Sequence, residues 1–176
     1  REHADNAGTL LPLGMELGLP GETHKMFKDV FTERQVGRLY VVGSNETTGP
    51  VIEASYERTL EILDRCLTGR RFLLGDRPGA GDFGLYGQLT QLALFDPTPM
   101  ALTLRVAPRV GAWTQIVDDL SGLEVREEGF EAPGNLGEPV RDLLREVGRV
   151  YAPFLLANAS ALESGASGDA PSSTLE

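Results

Sequence analysis

An all-α bundle of five to seven helices is the fold class this sequence predicts, and three observations carry it. Ile52, Tyr56, Leu60, Leu63 and Leu67 recur at helical spacing, with Glu53, Glu57, Arg58, Glu61 and Asp64 on the opposite side. The run Gly75-Asp76-Arg77-Pro78-Gly79-Ala80-Gly81-Asp82-Phe83 reads as a tight turn leading into the capped start of a buried helix. No strand pattern competes: Phe72-Leu73-Leu74 is too short, and Leu39-Tyr40-Val41-Val42 fits a helix end equally well.

The remaining elements follow in chain order. Residues 1–19 have no clear period; Leu10, Leu11, Leu13, Met15, Leu17 and Leu19 form an apolar run broken by Pro12, Gly14 and Gly18. Thr23 is a candidate N-cap for a helix presenting Met26, Phe27, Val30 and Phe31 on one face. Gly43 to Gly49 is a loop, and Pro50 suits the first turn of the strongest amphipathic helix. The capped helix spans about Ala80 to Phe95, and a short one lies around Met100 to Arg105. Pro108 opens another helix, with Val110, Trp113, Ile116 or Val117, and Leu120 facing inward and Gly122 closing it. After a polar loop, a last helix starts near Glu138 and carries Val140, Leu143, Leu144, Val147, Val150 and Tyr151 in register, with a kink expected at Pro153. This places one helical domain at 1–163, and a small, polar, disordered tail at 164–176 ending in a vector-derived Leu-Glu. The opening Arg1 reads as a processed or truncated start.

Composition bounds the function classes. The chain has 176 residues, 41% of them hydrophobic, enough for one buried core. A net charge of −10 argues against nucleic acid and against a polybasic contact with anionic membrane. The single cysteine, Cys66, excludes an intrachain disulfide and reads as a small buried hydrophobe; Arg65 alone is thin support for a reactive thiolate. The two histidines, His3 and His24, have no partner at ligand spacing, so no metal site is expected. With no apolar run of membrane-spanning length and no signal peptide, the expected setting is cytoplasmic.

The turn-and-cap segment identifies a scaffold. Gly75, Pro78 and Asp82 resemble the hydrophobic turn and capping box of the helical C-terminal domain of glutathione S-transferases, with Gly79 in place of the capping hydroxyl and Gly81 in place of an alanine. Ala107-Pro108-Arg109-Val110-Gly111-Ala112-Trp113 is similar to that family's Pro-Arg-Val-x-x-Trp segment, and Gly148 to Ala159 resembles the extended final helix of a bacterial subgroup. Asp82 itself is read as a cap, and Trp113 and Tyr86 as core. Gly81, Gly84 and Gly87, three apart in one helix, are expected to admit another helix at close range.

The resemblance implies a function that this chain would share with a second domain. In the family, glutathione is held by an N-terminal thioredoxin-like domain, whose Ser, Tyr or Cys stabilises the thiolate. No such domain is legible here, so no catalytic and no cofactor-binding residue is assigned. The helical domain would shape an apolar pocket for a small hydrophobic electrophile and support a homodimer. Met15, Leu19, Met26 and Phe27 are the candidate lining residues. The alternative is a non-enzymatic helical protein-interaction module.

Overall fold

The computed structural model describes residues 4–124, 126 and 128–165. His3 and the part of the expected tail from 166 onward lie outside them. The regular elements among the described residues are all helical, with no β-strand beyond two isolated bridges, as the sequence predicts.

The core is built on α3 (Gly49–Cys66). Its Leu60, Leu63 and Cys66 are buried with Leu67, and they pack against Leu89, Ala93, Ala107, Val110, Trp113, Val117 and Val140 from the helices around it. The expected apolar face holds for its C-terminal half only. Tyr56 is half-buried, with its hydroxyl hydrogen-bonded to Thr103 Oγ1 at 2.8 Å, whereas Ile52 and Val51 stand exposed at the first turn.

Helix α4 (Ala80–Leu89) runs on into a π-helical turn, Thr90–Phe95, as far as predicted. Asp96 then caps α5 (Pro97–Val106), its carboxylate accepting the Thr98 N–H at 3.0 Å. The cap starts this helix three residues before the sequence suggests. Helix α6 (Pro108–Asp118) buries Val110, Trp113 and Val117, which settles the inner-face choice against the exposed Ile116. It ends at Asp118, earlier than the glycine at 122. Trp113 Nε1 donates to the Arg71 carbonyl at 2.9 Å, fixing the helix against the turn that precedes α4.

Helix α7 (Glu138–Glu146) packs along α3 through Val140 and two ion pairs, Arg58–Glu146 at 2.9 Å and Arg65–Asp142 at 3.0 Å. A π-helical stretch, Val147–Tyr151, joins it to α8 (Ala152–Glu163). The irregularity expected at Pro153 thus falls one turn upstream. A proline has no N–H to donate and crowds the carbonyl four residues before it, so the ladder widens ahead of the ring.

Helices α1 (Ala4–Met15) and α2 (Gly21–Gly37) form a hairpin at the side of this body. Helix α2 starts at Gly21 after an extended Pro20, so Thr23 sits inside it and is no cap. The hairpin is held by close approach at Gly8, where a Cβ would meet Thr32 Oγ1 at 2.9 Å. The contacts of His24 Nε2 with the Thr9 carbonyl at 3.1 Å and of Lys28 with Asp5 add to it. It meets the body through α1 and α5, and at Gly14, where a Cβ would lie 2.4 Å from the Phe95 ring. The 3-10 turn Leu39–Val42 that follows is exposed.

Candidate functional site

The turn before α4 is the most ordered polar arrangement in the fold. Phe72 and Gly75 close the turn with mutual backbone hydrogen bonds, and Gly75 also bridges to Phe130. Gly75 has φ 130°, and a Cβ there would lie 2.4 Å from the Gly129 carbonyl, so only glycine fits. The Asp82 carboxylate is almost fully buried: Oδ2 accepts the Gly79 N–H at 2.9 Å, and Oδ1 accepts the Leu73 N–H at 2.9 Å. One carboxylate therefore serves the cap of α4 and the turn ahead of it. Both oxygens are engaged with backbone and the group is sealed from solvent, which makes Asp82 structural, as expected.

The glycine stripe of α4 departs from expectation. Cβ atoms at Gly81, Gly84 and Gly87 would meet nothing within 4 Å, so no helix approaches there. Beside them Phe83 is half exposed.

The four candidate pocket residues lie on the α1–α2 hairpin: Met15 at the end of α1, Leu19 in the connection, and Met26 and Phe27 on α2. Met15, Met26 and Phe27 are 61%, 58% and 42% exposed, and Leu19 is half-buried. The hairpin carries further uncovered apolar side chains, among them Leu17, Val30 and Val36, and α2 buries none of its residues. A cleft of about 240 Å³ opens between the hairpin and the start of α5, lined by Leu11, Phe31, Thr32, Val36, Asp96 and Thr98 among others. The four predicted residues are not among its lining. The cleft draws on Ala7, Gly8 and Leu11 of α1 and on the second half of α2.

A second, larger cavity of about 630 Å³ lies beside the turn, lined by Arg71, Asp76, Glu124, Arg126 and Glu128 with backbone from Gly122 and Gly129. Its walls are polar and of both charge signs, unlike a site for an apolar molecule.

Cys66, Tyr56 and Tyr86 do not fit the thiolate-activating part of glutathione chemistry. That work needs a hydroxyl or thiol whose proton is easily given up or aimed at the sulfur. Burial pushes the Cys66 thiol up, against the weaker pull of Arg70 and Arg65. Burial also raises Tyr56, whose hydroxyl is taken by Thr103. The Tyr86 hydroxyl is raised by its hydrogen bond to the Asp118 carboxylate. All three move in the wrong direction. Among the described residues no cluster of three His, Cys, Asp or Glu side chains could hold a metal ion. No helix among them is long and apolar enough to cross a membrane.

The family model described as glutathione S-transferase, C-terminal domain matches residues 33–115, from the end of α2 through α3, the capped turn, α4 and α5 into α6. Residues 33–115 are therefore similar to that family, on the stretch where Pro78, Asp82 and Trp113 carry the resemblance. No curated protein and no solved structure matches the chain.

Proposed function

We propose that this domain is the acceptor-side half of a glutathione transferase-like protein. Its α1–α2 hairpin, with Met15, Leu19, Met26 and Phe27, forms one wall of an apolar pocket for a small hydrophobic electrophile. The other wall is a thioredoxin-like domain that binds glutathione and activates its thiol, as similarity to the family implies. The observation that carries this reading is the set of uncovered apolar side chains on the hairpin, Met15, Leu17, Met26, Phe27, Val30 and Val36 among them. A face of this kind is costly to leave in water, about 25 cal/mol per Å² of apolar surface, and is stabilised by either a domain or a ligand. The family also supports a homodimer, and a buried, protonated lone cysteine suits a reducing cytoplasmic setting.

A protein-interaction module is the second reading, and the same uncovered face favours it, since a macromolecular partner would cover the hairpin as well as a domain does. Turnover separates the two halves of the leading proposal. Mixed with glutathione and a generic aryl electrophile, this chain is expected to give no conjugation above the uncatalysed rate, because the thiol is activated in the other domain. Conjugation that saturates with glutathione would overturn the assignment of the thiol chemistry to another domain.

A further inference from the structure

The cleft between the hairpin and the start of α5 has a chemistry of its own, and none of Met15, Leu19, Met26 and Phe27 lines it. Its volume of about 240 Å³ exceeds the roughly 150 Å³ that takes up one benzene ring, so one or two fused rings fit. Most of the wall is apolar, with Leu11, Phe31 and Val36 as its large side chains.

The charge on that wall is of one sign. Asp96 is the only ionisable side chain among the described residues that line the cleft. Its Oδ1 accepts the Thr98 N–H at the cap of α5, and among the described residues its Oδ2 has no hydrogen bond and no ion pair. Lys28, whose chain passes close to Gly8 in the wall, is already paired with Asp5.

The start of α5 adds no anion site to this arrangement. A helix N-terminus ordinarily turns free N–H groups toward an anion. Here Pro97 and Pro99 have no N–H, and those of Thr98 and Met100 go to the carboxylate and the carbonyl of Asp96, each at 3.0 Å. A carboxylate with an open oxygen in an apolar wall rejects an anionic ligand and gains from a cation that donates to it. The Phe31 ring is a second group in the wall that attracts a cation.

We propose that this cleft binds a small apolar amine, its ring system held by Leu11, Phe31 and Val36 and its ammonium by the open oxygen of Asp96. The proposal does not rest on the transferase reading, which places the electrophile on other residues of the hairpin.

The test is a methyl-resolved NMR titration of the full 176-residue chain with three probes of one shape: naphthylmethylamine, naphthylmethanol and naphthoate. The amine is expected to give saturable shifts at the Ala7, Leu11 and Val36 methyls. The alcohol should bind about tenfold more weakly, for want of the charge-assisted hydrogen bond, and the carboxylate not at all. Asp96→Asn separates the charge from the cap, since Asn caps a helix as well as Asp. It should melt like the native chain and bind the amine no better than the alcohol. Val36→Lys, a change at an exposed position, adds a cation to the wall without touching the cap, and should weaken the amine at least tenfold. The proposal is overturned by an amine that binds no tighter than the alcohol or shifts methyls elsewhere only. Unchanged amine affinity in both variants would overturn it as well.

Discussion

Asp82 is where a single side chain decides local structure. Its carboxylate satisfies two backbone N–H groups, Gly79 and Leu73, in a site closed to water. Replacing it with Ala leaves the buried Leu73 donor and the half-buried Gly79 donor without a partner, and a loss of about 2–3 kcal/mol in unfolding free energy by urea titration is expected. Gly79→Ser should act the other way. The backbone there is extended, at φ −113°, and a Cβ would make only ordinary contacts, 3.5 Å from the Phe130 ring. The hydroxyl restores the absent half of the cap, for a gain of a few tenths of a kcal/mol. Both roles were legible in the sequence, because a cap depends on residues three apart and on little else. The open glycines of α4 were not. A helical Gly predicts close packing only if a neighbour arrives, and that is a property of the tertiary structure. Since nothing meets Gly84, Gly84→Ala is expected to stabilise the chain by about 0.5–1 kcal/mol in the same titration.

Elements were predicted best where their signals are local and strong. Helix α3 and the α4 start follow from periodicity and capping, and Pro108 marks the start of α6. The start of α2 was misplaced because Thr23 has the right side chain for a cap, yet the preceding Pro20 already sets an extended residue from which the helix begins. The π-helical stretches left no trace in the spacing, since widening by one residue costs little and depends on the neighbouring turn. The docking of α7 on α3 has a pH signature. The hydrogen bond from Arg58 holds the Glu146 carboxyl below its ordinary range, with Arg149 adding to it against a partial offset from burial. A carboxyl depressed in the folded state contributes stability above its unfolded value and loses it as pH falls through the folded one. Native protein is therefore expected to melt higher than Glu146→Gln at neutral pH. The gap should close as acid protonates the carboxylate, and a gap constant with pH would contradict the assigned cause.

At the scale of the whole molecule, the core is closed and much of the apolar surface around it is not. The core around Leu60, Leu63, Val110 and Trp113 is sealed, while the α1–α2 hairpin and α8 present apolar side chains to solvent. The family could be read from motif order along the chain. The cleft could not, because it arises where the hairpin meets α5, a contact between segments far apart in sequence. Acceptor recognition on the hairpin, with thiol activation elsewhere, is the central proposal. Its most direct test is a methyl-resolved NMR titration of this chain with an apolar nitroaromatic electrophile and, separately, with glutathione. The expected result is saturable shifts at Met15, Leu19 and Met26 and the neighbouring methyls of α1 and α2 with the electrophile, and none anywhere with glutathione. Shifts clustered instead around the Arg71–Arg126 cavity, or a saturable response to glutathione itself, would contradict it.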